Sequence, residues 1–370
     1  MGEGKLAVVL GIEVDYLFNC RAEGDMSADQ LRQQLDKYYE FGVRHIFPIH
    51  FANNGFGGTG FQNDTEMAVD PDSLGQGMPS TVNPRSFAHQ YPVATEDARE
   101  FGYELRTGRR NVQGLTGLGK TLIREMISRG MTFDVDHMSA RSKADVFDIC
   151  EAADYPVLSG HTGFIEMCIG EKRHEGQLLP EEVERIRKLG GMVAINVHQG
   201  DLEQIAAWQG PNGQAVVPHT CGNTSNTVVQ AYLYAVSKMQ GAPVALGTDL
   251  NGFAGLPGPR HGPEQCPGGG GAGHSSWLAY PFTAAATGRE MHPSVVREKT
   301  FDFNVEGLAH VGMLPDMIAD FQAMGLSETD LAPLLDSADG YVRMWEKAWL
   351  RSEGGFKGVS ESISLLLLGD

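Results

Sequence analysis

The sequence predicts an α/β chain built as a TIM-type (β/α)8 barrel, and three observations predict it. Short apolar strands alternate with amphipathic helices, and glycines stop several of the helices, the pattern of βα units around a parallel sheet. Nearly every predicted strand runs directly into a histidine or carboxylate, and parallel barrels carry their chemistry at the C-terminal ends of their strands. The length, 370 residues, suits one barrel of roughly 250 residues enlarged by loop insertions.

Lys5–Ile12 is a short continuous apolar run ended by charge, a buried-strand candidate. Asp29–Phe41 places Leu31, Leu35, Tyr38 and Tyr39 at helical spacing and stops at Gly42; Val43–Ile49 is the next strand. Residues 51–113 are rich in Gly, Asn, Pro and Asp and read as a long excursion outside the core. Thr116–Arg129 is a helix ended by Gly130, and Met131–Val135 a strand. Ser142–Ala153 is a helix, Tyr155–Ser159 a strand, Pro180–Leu189 a helix ended by Gly190 and Gly191, and Met192–Val197 a strand. Thr227–Met239 is a helix and Pro243–Gly247 a strand; Leu314–Met324, Asp330–Leu335 and Gly340–Trp349 complete the helices. The expected organisation is one barrel domain over 1–352, with insertions near 51–113, 199–226 and 255–274, and a tail at 353–370.

Composition narrows the function. Net charge is −18, which disfavours nucleic acid and anionic membrane surfaces, since phosphate binding needs a basic face. No run approaches the roughly 18 apolar residues of a membrane span, and the first residues do not read as a signal peptide because Glu13 and Asp15 follow the apolar stretch at once. The five cysteines form no CxxC pair, so a thiolate zinc cluster is not expected. Cys221 and Cys266 share loop-like surroundings and could pair, but scattered core or loop thiols are the simpler expectation; the compartment stays open.

The strand ends carry the argument. Glu13 follows the first predicted strand and His50 the second; then come Asp136 with His137, His161, His198 and Asp249. One histidine at a strand end is as easily structural. Four of twelve histidines converging with carboxylates at one barrel face is different, because imidazole and carboxylate are ligands zinc prefers, and a free carboxylate nearby is the usual general base.

The same segments resemble, in order along the chain, the blocks of the renal (membrane) dipeptidase family, peptidase family M19 of the amidohydrolase superfamily. They are Glu3–Ala7 through Gly11-Ile12-Glu13; Gly42–His45 through His50–Asn54; Gly114–Thr116 through Asp136–Ser139; Pro156–His161; Gly247–Gly252; and Glu306–Leu308 through Trp345. The resemblance implies that Glu13 bridges two divalent metals, zinc or another, and that His137 and His161 hold one of them. It implies that Asp249 handles the proton of the attacking water and of the leaving amine, and that His50 polarises the substrate carbonyl. Arg173 is the candidate for gripping the substrate carboxylate, with altered spacing, and His198 a further pocket residue. The implied reaction is cleavage of the amide bond of a dipeptide or similar small acyl-amino compound by a metal-activated hydroxide. A lactone or ester hydrolase of the same superfamily, and a non-catalytic barrel with an incomplete site, are the alternatives.

One departure bears on the chemistry. Barrels of this kind carry an HxD pair on the first strand, yet no histidine here is followed two residues later by aspartate. The first strand is therefore expected to be missing, through truncation or as a natural short form with an altered, single-metal site. Exposed strand edges would follow, and with them a homodimer as one expected state. A decoy also stands out: Gly114-Leu115-Thr116-Gly117-Leu118-Gly119-Lys120-Thr121 matches GxxxxGK[ST], but no buried strand precedes it. Thr116 is instead expected to cap a helix with Lys120 on its exposed face.

Overall fold

The computed structural model describes residues 7–61, 95–97, 105, 109–168, 172–199, 208–209, 216–217, 222–250, 256–260 and 277–352. Six parallel strands make its frame: β1 (Leu10–Ile12), β2 (Val43–Ile46), β3 (Thr132–Phe133), β4 (Leu158–Thr162), β5 (Met192–Asn196) and β6 (Val244–Gly247). They neighbour one another in chain order: β1, β2 and β3 form one sheet and β4, β5 and β6 another, with a parallel bridge between Asp134 and Leu158 joining the two. Each crossover holds a helix. These are α1 (Ala28–Glu40), α2 (Gly117–Ser128), α3 (Ala140–Ala153), α4 (Pro180–Lys188) and α5 (Ser225–Lys238), and α6 (Leu314–Ala323), α7 (Glu328–Leu335) and α8 (Ser337–Leu350) follow β6. This is a parallel α/β fold. Among the described residues the arc is open, β1 pairing only with β2 and β6 only with β5.

The local chemistry explains the helix boundaries. Ser27 caps α1 in a reciprocal capping box with Gln30, Thr116 caps α2 by accepting the Gly119 N–H, and Ser139 caps α3. Gly42, Gly130 and Gly190 take the left-handed backbone after α1, α2 and α4, which a glycine adopts without steric cost. Lys120 pairs with Asp145 at 2.8 Å, and the short strand Arg109–Asn111 that precedes the GxxxxGK[ST] segment is antiparallel, so the phosphate-loop context is absent there.

Three expectations need correction. The predicted buried strand at 5–12 is observed over Leu10–Ile12, and Val8, Val9 and Leu10 are exposed, because this edge strand has a neighbour on one side only. The start of the supposed excursion is core instead: Asn54, Phe56 and Gly57 through Phe61 are buried. Asn54 side-chain hydrogen bonds to the Asp15 and Pro48 carbonyls tie that segment down, and the Gly60 N–H donates to the His137 carbonyl at 2.6 Å. The sequence pattern also missed four small antiparallel pairs, Thr95–Asp97 with Arg109–Asn111, Trp208–Gln209 with Val216–Val217, Phe282–Thr283 with Glu290–Met291 and Ser294–Val296 with Lys299–Phe301, which are too short to show periodicity. Cys20, Cys150 and Cys168 are buried thiols; Cys221, Cys266, the 353–370 tail and most of the predicted insertions lie outside the described residues.

Helix α8 runs beneath the strands. The Lys347 ammonium donates to the Leu189 carbonyl just before β5 and pairs with Asp154 before β4. The Tyr341 hydroxyl meets Thr132 on β3 at 3.2 Å, and Gly340 lies against Pro243 before β6. Met344 packs with Leu158 and Met192. All of these contacts are at strand starts, so α8 closes the N-terminal end of the sheet and leaves the C-terminal end for the site.

Two buried polar devices hold the loops around that end. The Glu175 carboxylate accepts backbone N–H groups from Phe61, Asn111 and Ala140 at 3.2, 3.0 and 2.9 Å. On α3, the fully buried Lys143 donates to Glu182 at 2.8 Å and to the Gln177 carbonyl at 3.0 Å.

Candidate metal centre and active site

Glu13 stands one residue past β1, His137 four residues past β3 and His161 near the end of β4. The fold brings the three together: Glu13 Oε1 lies 3.1 Å from His137 Nε2 and 3.4 Å from His161 Nε2, and the two Nε2 atoms are 2.7 Å apart. Donors 2.0–2.2 Å from a shared tetrahedral ion are ~3.3–3.6 Å from one another. The two carboxylate–imidazole separations sit at or near that edge length, and the histidine pair needs to open by roughly 0.6 Å. A carboxylate and two imidazoles with a side left clear is also the donor chemistry of a catalytic zinc site. The residues fit a divalent ion.

The surroundings prepare them for it. Burial, and then the neighbouring His50 and His161, hold the His137 imidazole well below its usual pKa, so it is neutral with a lone pair to give. Its backbone is left-handed, φ 64°, a strained conformation held by the Thr59 hydroxyl and Gly60 N–H on its carbonyl. Asp136 turns toward the neighbouring strand, accepting the Ser159 hydroxyl at 2.5 Å and the His161 N–H at 2.7 Å. It therefore fixes the strand segment that presents His161.

His50 faces the same carboxylate from β2's side, Nε2 3.7 Å from Glu13, with its ring against His137 at 4.5 Å between centroids. Its other nitrogen donates to Asp15 Oδ1 at 2.7 Å, and the same oxygen accepts the Phe51 N–H at 3.1 Å. Burial alone would raise the Asp15 carboxyl; the hydrogen bond and charge of His50, then the Phe51 N–H, outweigh it and leave the group below its usual value. Asp15 was not singled out from the sequence. Its signal was present: a second carboxylate two residues after Glu13 lies on the same side of the strand exit.

A cavity of about 280 Å³ opens over these groups, lined among others by Phe51, His137, His161, His174, His198 and Asp249. Asp249, two residues past β6, also has left-handed backbone, φ 44°. Gly247 is what lets β6 deliver it: a methyl there would fall 2.1 Å from the Gly160 carbonyl oxygen and 2.6 Å from His161 Cα. His198 is exposed at the cavity wall, its N–H on Asn196. Arg173 is half-buried beside the cavity residue His174, and its Nε donates to the Cys168 carbonyl at 2.8 Å. Thus Glu13, His50, His137, His161 and Asp249 converge, His198 stands at the rim, and Arg173 is placed next to the lining.

A parallel α/β frame carries a carboxylate–imidazole cluster at the C-terminal end of its strands, an arrangement able to hold a divalent ion. Comparison with known proteins narrows the reading. Residues 86–262 match the family described as membrane dipeptidase, peptidase family M19, a span that contains His137, His161, Arg173, His198 and Asp249 and begins after Glu13 and His50. An uncharacterized dipeptidase of Schizosaccharomyces pombe is 24% identical over 250 residues, 68% of this chain and 42% of that protein, so the match spans less than half of the relative's length. Among solved structures, the likenesses include a metallopeptidase of Rhodobacter sphaeroides bound to a phosphinate mimic of the dipeptide L-Ala-D-Ala (14% identity, TM-score 0.47, 89% of this chain and 62% of that one). Another is the probable dipeptidase PvdM of Pseudomonas aeruginosa (14%, 0.48, 87% and 66%). Over residues 86–262 the chain is similar to the membrane dipeptidase family. No helix among the described residues is long and apolar enough to cross a membrane.

Proposed function

We propose that this chain is a metal-dependent hydrolase on a (β/α)8-type barrel that cleaves the amide bond of dipeptides or similar small acyl-amino compounds. The carrying observation is the cluster of Glu13 Oε1 with the His137 and His161 Nε2 atoms in a cavity that Asp249 also lines. At about 280 Å³ the cavity is at the small end for ligand pockets, which suits a substrate of a few residues and not a folded chain. The family and the donor set point to zinc or another divalent ion. When bound, such an ion supplies Lewis acidity and lowers the pKa of water.

The side chains divide the remaining work. Glu13, His137 and His161 would hold the ion. Asp249 takes the proton of the attacking water and returns it to the leaving amine. His50, its Nδ1–H held by Asp15, aims Nε2 into the site, where in protonated form it donates to the developing oxyanion. Arg173 and His198 receive the substrate's carboxylate end, Arg173 by swinging from the Cys168 carbonyl.

The test is Asp249→Asn in the zinc-loaded chain, measured for metal content and for turnover of a dipeptide panel. The expected result is full metal content with turnover abolished. Retained turnover refutes the role of Asp249. A wild-type chain that neither binds zinc nor cleaves any dipeptide with zinc added refutes the enzyme itself.

A further inference from the structure

Beside β4 and β5 the cavity wall carries two side-chain amides whose orientation the backbone decides. Asn196, the last residue of β5, accepts the His198 N–H at 2.7 Å through Oδ1. A backbone N–H is met only by the oxygen end of an amide, so the Asn196 NH2 is turned the other way. Gln199, 3% exposed, gives its Nε2 to the Asn196 carbonyl at 2.5 Å and to the Thr162 carbonyl at 3.3 Å. Carbonyl oxygens are met only by the nitrogen end, so Oε1 is fixed as the remaining acceptor. Both residues line the cavity, and among the described residues neither the Asn196 NH2 nor Gln199 Oε1 has a hydrogen-bond partner. Gly163 keeps the space beside that oxygen open: a methyl there would already stand 3.9 Å from it.

A fixed donor and a fixed acceptor, both uncharged, are the complement of a carboxamide, whose oxygen accepts and whose nitrogen donates. A carboxylate would set an oxygen against Gln199 Oε1, and an ammonium would set N–H groups against the Asn196 NH2. An apolar group would leave both amides unpaired and out of water. The scissile amide does not answer the pair, because its carbonyl is assigned to His50, which faces the site from β2. His198, assigned to the substrate's carboxylate end, lies between Asn196 and Gln199 in the chain, which puts the pair at the residue that leaves as the amine.

We propose that Asn196 Nδ2 and Gln199 Oε1 form a subsite for a side-chain carboxamide on the substrate's C-terminal residue, so that the preferred dipeptides end in asparagine or glutamine. The inference rests on the amide-hydrolase reading of the same site and adds a substrate class to it. Asn196 and Gln199 are specificity residues, touching the substrate's side chain and not the reacting atoms. A site with a buried donor and acceptor rejects a substrate that leaves them unpaired more sharply than one that discriminates by size alone.

The experiment measures kcat/KM of the zinc-loaded full-length chain on alanyl-glutamine, alanyl-asparagine, alanyl-glutamate, alanyl-methionine and alanyl-leucine, each in both configurations of its second residue. Calorimetry gives Kd for the same dipeptides on zinc-loaded Asp249→Asn, with no turnover involved. Two neutral hydrogen bonds are worth roughly tenfold, so wild type should favour glutamine over methionine and glutamate, or asparagine over leucine, by about that factor, with the difference in KM. Asn196→Asp keeps the oxygen that the His198 N–H needs and turns the donor into an acceptor; Gln199→Met removes the acceptor at similar length. Each, checked for a wild-type melting curve, should bring the ratio to about one. If the buried Gln199→Met chain melts early, Asn196→Asp decides alone. Equal kcat/KM and Kd across the panel, the result if the two amides hold only water, overturns the proposal, as does a carboxamide preference that survives Asn196→Asp. Absence of turnover in wild type refutes the enzyme and leaves the Kd values to decide the subsite: a carboxamide preference there upholds it, and no measurable binding of any dipeptide overturns it.

Discussion

Replacing Asp15 by asparagine tests the arrangement of the site most directly. One oxygen of Asp15 accepts both the His50 imidazole N–H and the Phe51 N–H, and the carboxylate's charge strengthens both bonds. Asparagine retains an oxygen but no charge. Hydrogen bonds to charged groups contribute about 1.5–3 kcal/mol, and each 1.36 kcal/mol is a factor of ten in rate, so kcat/KM on a dipeptide should fall about 10- to 100-fold. The fall should appear in kcat with KM nearly unchanged, because His50 is assigned to the oxyanion and not to holding the substrate. Steady-state kinetics of zinc-loaded wild type, Asp15→Asn, His50→Gln and the double variant provide the assay. If Asp15 acts through His50, the double variant is no slower than His50→Gln alone. A drop of less than twofold for Asp15→Asn, or a drop that tracks lost zinc, would refute the reasoning.

Three further outcomes follow from the packing. Lys143→Met leaves the buried Glu182 carboxylate without its cation and should cost about 3–5 kcal/mol, read as a lowered urea midpoint; an unchanged midpoint would mean that Glu182 reaches solvent. Burial first, against three N–H donors, raises the Glu175 carboxyl, so its contribution to stability is fully present below the unfolded value near 4.3 and lost as pH rises through the higher folded value. Glu175→Gln should therefore be more damaging relative to wild type in urea melts at pH 4 than at pH 7, and the opposite order would reverse the sign. Gly247→Ala forces β6 away from His161 and should cost about 1–3 kcal/mol while weakening zinc binding; wild-type zinc affinity would show that Asp249 and His161 are not positioned through this contact.

What could be read from the sequence was the order of chemistry along the strands. Each apolar run was short and ran into a histidine or carboxylate, so Glu13, His50, His137, His161 and Asp249 could be read as candidates at the strand ends, and the caps at Thr116 and the glycine stops fell where side-chain chemistry demands. What escaped was whatever depends on separate parts of the chain meeting. Asp15 matters because it meets Phe51 and His50, thirty-five residues away along the chain. Residues 51–61 look like loop by composition yet are buried, because their glycines allow close packing: a methyl on Gly57 would meet Ile49 at 2.7 Å, and one on Gly60 the Met138 carbonyl at the same distance. Asp134 reads as one more strand residue until His45 is found opposite it. Val8 through Leu10 read as core because an apolar run does not reveal how many neighbours its strand will have.

Helix α8 closes the starts of strands that are made long before it. During synthesis β3, β4 and β5 leave the ribosome more than a hundred residues ahead of Tyr341 and Met344, whose side chains cover Thr132, Leu158 and Met192. The nascent chain can therefore assemble the strand ends that carry the candidate site while the opposite end is still uncovered, and it must be kept from aggregating through that opening until the last helix arrives. A chain released before residue 337 would keep every residue assigned to the site and yet stay a client of chaperones.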